Sequence, residues 1–146
     1  MTHQRPAGVD DATVEAVAKL SEAVEWLERA RGRLYDFHQM VGHLDFQMGD
    51  AAGLLRDAGH PEAAELVERE AVGRNVLDGR WTFQVVEEFE ELFYDPLRVV
   101  ERQIRDDLLE GRRHVFEAEL KEKRRTPGAP GQKRRPAGPD HPPATA

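Results

Sequence analysis

Residues 11–58 read DATVEAVAKLSEAVEWLERARGRLYDFHQMVGHLDFQMGDAAGLLRDA, and the period of this stretch decides the fold. Steps of seven from Thr13 land on Leu20, Leu27, Leu34, Val41, Met48 and Leu55. Steps of seven from Ala16 land on Ala23, Ala30, Phe37, Leu44, Ala51 and Ala58. Apart from Thr13, all are apolar, which is the a/d pattern of a coiled-coil-like helix. The phase passes through Arg31-Gly32-Arg33 without a slip. The spacing therefore predicts one helix from about 11 to 58, roughly 72 Å long at 1.5 Å per residue, in preference to two helices split at Gly32. Alanine at most d positions would let a partner helix approach to the short end of the usual range of about 8–10 Å.

Reading outward, Ala58-Gly59-His60-Pro61-Glu62 places glycine where a helix C-cap needs positive φ and proline at the first position of a second helix. This is the strongest stop–start signal in the chain. It predicts an all-α fold, a long antiparallel helical hairpin over 11–77 with one or two additional C-terminal helices over 80–124. Asp78-Gly79 would end or bend the return helix, and Asp95-Pro96 would cap and start the last one. That last helix carries Leu97, Val100, Ile104, Leu108, Val115 and Phe116, and frays at Lys121–Arg125. The expected organisation is a loose arm (1–9), a helical domain (10–124) and a disordered, basic, Pro/Gly-rich tail (125–146).

Composition narrows the functional classes. The chain has 146 residues, enough for one ordinary domain. It has no cysteine, so disulfides and thiolate metal sites are excluded. No apolar run approaches the ~20 residues of a membrane span, and the N-terminus lacks the apolar core of a secretory signal, so a cytoplasmic location is expected. The net charge of −7 is uneven. Residues 121–146 hold seven Lys/Arg against Glu122 and Asp140, a net of +5, which leaves −12 on the rest. An acidic body repels phosphate; nucleic-acid contact is expected only weakly, through the tail. Ser21 is the only serine and lies mid-helix, without a glycine-framed elbow. No glycine-rich phosphate loop follows a strand. Arg33 and His38 have a spacing found in helical ribonucleases of the HEPN type, but Leu34 follows the arginine where a polar residue is needed. These absences argue against an enzyme.

Two features stand out as candidate interfaces. Gly42, Phe46, Gly49 and Gly53 form one stripe off the a/d seam, at i, i+4, i+7 and i+11. Each interior glycine costs about 1 kcal/mol relative to alanine, so the stripe suggests a surface crossed closely by another helix or protomer. Arg80, Trp81 and Phe83 gather residue types that dominate interface hot spots at a predicted bend. The plainer reading, preferred here, has Trp81 and Phe83 fill the core while Asn75 and Asp78 cap the bend. A competing class is a ferritin-like carboxylate/His metal protein, with His38, Asp45, Glu65, Glu88 and His114 as candidate ligands. No Glu-x-x-His occurs, and Glu87-Glu88-Phe89-Glu90-Glu91 reads as a solvated acidic face around a buried Phe.

The stretches GLLRDAGHPEAAELVERE (53–70) and RNVLDGRWTFQVVEEFE (74–90) resemble a family of small helical proteins of actinobacteria, over roughly residues 9 to 125. The resemblance implies a helical fold and brings no function or catalytic residue with it. The expectation is a non-enzymatic helical interaction or scaffold module without cofactor, acting on itself as a homo-oligomer or on a protein partner, with no membrane contact.

Overall fold

The computed structural model describes residues 3–132, and these are all-α, with no strand among them. Helix α1 spans Asp11–Asp57 and passes through Gly32 unbroken, as the heptad phase predicts. Asp10 starts it: its Oδ1 accepts the Thr13 N–H at 2.8 Å, satisfying one of the orphan donors of a helix N-terminus. At the other end Gly59 takes φ +87°, and the His60 N–H reaches back to the Leu55 carbonyl at 2.8 Å. Pro61 then opens α2, Pro61–Glu70, so the stop–start reading holds.

The later helices depart from expectation in three places. Helix α2 stops at Glu70 instead of running to 77, because Gly73 adopts φ +68° and its N–H is taken by Asp45 Oδ1 at 2.6 Å. Next, Asp95-Pro96 opens its helix without a break, Asp95 being itself helical and not an N-cap. Helix α3 (Thr82–Phe89) passes through a π-turn (Glu90–Tyr94) into α4 (Asp95–Leu109) with helical dihedrals at both joints. The proline explains the π-turn. A proline ring inside an α-helix clashes with the carbonyl four residues back and cannot donate to it; the wider turn, in which the Asp95 N–H bonds to the Glu90 carbonyl, relieves that conflict just before Pro96. Finally, the last helix is two. Glu110 and Gly111 take φ 51° and 71°, ending α4, and α5 begins after a left-handed His114 and covers Val115–Arg124.

The chain forms two compact units. In the unit Val24–Arg98, side chains of α1 meet the returning chain in falling order. Arg56 pairs with Glu68, Asp45 with Gly73, His38 with Thr82, Arg31 with Glu90, and Glu28 with Tyr94 and Arg98. The core here is thin: Leu27, Ala52, Ala64, Val86 and Tyr94.

Along α1 the heptad is buried on one flank only. The a positions Leu20 to Leu55 all turn inward, and so do the e positions Val17, Val24, Arg31, His38, Asp45 and Ala52. Of the d positions, Ala16, Ala23, Ala30, Phe37 and Leu44 are exposed and Ala51 is half-buried. An apolar search misses this rotation because the three central e residues are polar; their hydrogen bonds to Glu90, Thr82 and Gly73 draw that flank inward.

The other unit joins the described parts of Met1–Ala23 and Val99–Ala146. Val14, Val17, Leu109 and Val115 form its core, with Val9 packed against them. Residues 3–9, read as a loose arm, are pinned here. Pro6 is buried, Arg5 forms a two-pronged bond to Glu119 (2.9 and 2.8 Å), and His3 Nδ1 hydrogen-bonds the Arg113 carbonyl oxygen at 2.7 Å. Glu101 and Arg105 are buried together. Arg105 Nε donates to Glu101 Oε1 at 3.0 Å and its Nη1 to the Gly111 carbonyl at 2.6 Å, while Ser21 Oγ donates to Glu101 at 3.1 Å. Of the expected tail, residues 126–132 form hydrogen-bonded turns, the Thr126 N–H reaching Gln132 Oε1 at 2.7 Å; the rest lies outside the described residues.

Candidate functional site

Within the unit Val24–Arg98 lies an open cleft of about 520 Å³. One wall is the stretch His38–Phe46 of α1. The other comprises the chain after α2 and the start of α3, with Ala71, Gly73, Val76, Trp81 and Phe83 among its residues. The connecting segment is held in shape locally. Gly79 at φ +67° makes the tight turn that lets the Arg80 N–H reach the Leu77 carbonyl at 3.0 Å and the Val76 N–H reach the Arg80 carbonyl at 3.1 Å. Trp81 then caps α3: its own N–H is accepted by Gln84 Oε1 at 2.9 Å.

Two polar links tie the walls together, Asp45 to the Gly73 N–H and His38 Nδ1 to Thr82 Oγ1 at 2.6 Å. Thr82 is buried, so the His38 link is the inner one. The rings of Trp81 and Phe83 stand edge to face, 6.4 Å apart at 89°. These two aromatics do not fill the core as the plainer reading expects; they are 51% and 47% exposed and form the rim of the cleft. Phe46, 77% exposed, also belongs to its lining.

The structure thus brings together residues that the sequence offers as two separate interfaces. Gly42 and Phe46 from the glycine stripe line the same cleft as Trp81 and Phe83. Gly49 and Gly53 do not line it, and no side chain stands within 4 Å of where their Cβ atoms would be. Arg80 turns away, its Nε bonded to Glu88 at 2.6 Å.

The carboxylate/His set is not gathered. His38 and Asp45 are engaged with Thr82 and Gly73. Glu88 holds Arg80, Glu65 lies 3.9 Å from Arg69, and His114 belongs to the other unit, 3.7 Å from Glu117. Among the described residues no group of three His, Asp or Glu side chains converges on a point that could hold a metal ion.

A second polar cluster in this unit is closed on itself. The Tyr94 hydroxyl donates to Glu28 at 2.7 Å, Arg98 bonds the same carboxylate, and Arg31 lies over the Tyr94 ring at 4.7 Å. The Tyr94 hydrogen bond, with help from Arg98, holds Glu28 below the usual carboxylate range, while burial raises the phenol. Arg31, aided by the Tyr35 hydroxyl, lowers Glu90 in the same way. These groups satisfy one another and leave nothing to offer a reactant. Sequence reasoning missed this cluster, as it missed Glu101–Arg105, although the i, i+4 spacing of the latter was a visible signal.

No protein-family model, no curated protein and no solved structure matches this chain.

Proposed function

We propose that this chain is a non-enzymatic helical binding module that self-associates. The observation that carries this reading is the convergence of the two sequence-distant candidate patches, Gly42/Phe46 and Trp81/Phe83, on one cleft. Many apolar side chains of the described residues are exposed, but Trp81, Phe83 and Phe46 are gathered around one cleft, where covering each would contribute about 2–3 kcal/mol.

Self-association is supported by the open flank of α1. Trp26, Phe37, Met40 and Leu54 occupy d and g positions, are all exposed and lie outside the cleft lining. The charges flanking this stripe are self-complementary at its ends: Arg29 lies at one and Asp57 at the other, while Arg33 is paired with Asp36. A second copy crossing antiparallel near His43 would set Arg29 against Asp57 twice over, the isologous geometry of a two-fold dimer, while Asp36, which pairs with Arg33 in its own chain, would face Asp50. The coiled-coil pairing suggested by the heptads is then completed between copies, through the flank the chain itself leaves open.

Sedimentation equilibrium of the full chain tests this. The mass should rise from one to two chains across the micromolar range, and Phe37→Asp/Leu54→Asp should hold it at one. A wild-type chain that stays monomeric at about 100 µM, where specific dimers are normally populated, overturns the proposal.

A further inference from the structure

We infer that the cleft takes a small organic cation with a hydrophobic body, an aromatic or alkyl-substituted onium ion. The inference rests on the cleft being a binding site, and it adds the chemical class of the occupant.

Three observations fix the class. The volume, about 520 Å³, is that of a small-molecule site rather than of a groove for an extended chain. Phe46, Trp81 and Phe83 present aromatic surface around it, and the negative face of such rings attracts a cation more strongly once water is displaced. The charge of the walls is one-sided. Asp45 stands in the lining with one oxygen fixed by the Gly73 N–H, and no lysine or arginine forms an ion pair with it among the described residues. Arg74 is the one arginine of the lining. It is tied to Glu70, through the Glu70 carbonyl at 3.2 Å and the carboxylate at 3.8 Å, so the two offset each other and Asp45 remains.

The surroundings reinforce this. The unit Val24–Arg98 carries sixteen Asp/Glu against eight Arg and no Lys, a net charge of −8, which raises the local concentration of cations and disfavours anions. A neutral hydrophobe would gain from the rings alone. An anion would gain from the rings and lose to Asp45 and the field. Only a hydrophobic cation uses both.

The test uses a matched pair of ions of the same shape and opposite charge, tetraphenylphosphonium and tetraphenylborate. Binding to the full chain is followed by Trp81 fluorescence in a Trp26→Phe background, at fixed protein concentration and ionic strength. The phosphonium should bind at least about tenfold more tightly than the borate. Asp45→Asn should narrow that ratio several-fold, and Trp81→Ala, followed by calorimetry, should weaken phosphonium binding about tenfold with an unchanged far-ultraviolet circular dichroism spectrum. Leu92→Ala, on exposed surface outside the lining, should change nothing. Sedimentation should show the same mass with and without phosphonium.

Equal or tighter binding of the borate overturns the cation assignment and leaves the cleft as a binding site. Failure of both ions to bind overturns the cleft reading as well. Dissociation of the assembly by phosphonium would make a second copy the occupant and overturn the inference.

Discussion

The two compact units use the same long helix in opposite ways. Where α1 meets the flanking segments, Val14 and Val17 are sealed against Leu109 and Val115, and the buried Glu101–Arg105 pair is capped by Ser21 and the Gly111 carbonyl. In the unit Val24–Arg98 the same heptads face polar anchors, and Phe46, Trp81 and Phe83 stay in contact with solvent around a cleft. Both units leave large apolar side chains exposed, Val99 and Val100 in one and Leu54 and Leu92 in the other; what sets Val24–Arg98 apart is that its aromatics gather around a cleft. What the returning chain places opposite the helix decides whether a stretch serves packing or is left available to bind.

Substitutions can break that contrast. The largest effect is expected from Arg105→Ala, which strands the Glu101 carboxylate away from solvent; removing one partner of a buried pair costs about 3–5 kcal/mol. Amide hydrogen exchange should accelerate in 11–23 and 99–124 more than in 24–98. Uniform acceleration would mean that the two units are not separately stabilised. A smaller change of opposite sign is expected from Gly49→Ala/Gly53→Ala, a gain of about 2 kcal/mol from helix propensity, because neither new methyl meets a neighbour within the chain. If the double variant instead loses dimer mass in sedimentation, these glycines belong to the contact between copies, as the stripe first suggested.

Acid should separate the units least. Glu28 and Glu90 in one unit, held down by Tyr94 and Arg31 in turn, and Glu119 in the other, held down by Arg5, all have folded-state values below the ordinary 4.5. Their stabilisation is complete above that pH and is lost as pH falls through the lowered values. Melting temperatures taken between pH 6 and pH 3 should fall, and Glu28→Gln should flatten the decline. A parallel decline in the variant would remove Glu28 from the account.

Much of the architecture was legible because it follows from local rules. The unbroken α1 shows in its phase through Gly32, and the Gly59-His60-Pro61 corner in two residues with fixed backbone preferences. The rotation that exposes Phe37 and Leu44 was hidden, since it depends on hydrogen bonds made by Arg31, His38 and Asp45 to residues 28 to 59 positions away. The same distance effect governs the site. Phe46 and Trp81 each drew notice as residue types out of place, yet nothing in their surroundings says that they share a cleft. His38 and Asp45 looked like ligands because of their chemistry, and their chemistry is spent on holding the two walls together.

One consequence concerns the π-turn. A regular α-helix turns about 100° per residue, so the surplus residue in Glu90–Tyr94 sets the azimuth of the residues just after it, Asp95–Arg98, relative to α3. Pro96 acts as a latch on that setting, because its ring would collide with the Leu92 carbonyl in a standard helical turn. Replacing Pro96 by alanine would free the segment to snap into ordinary pitch, turning Asp95–Arg98 by about 100° against α3.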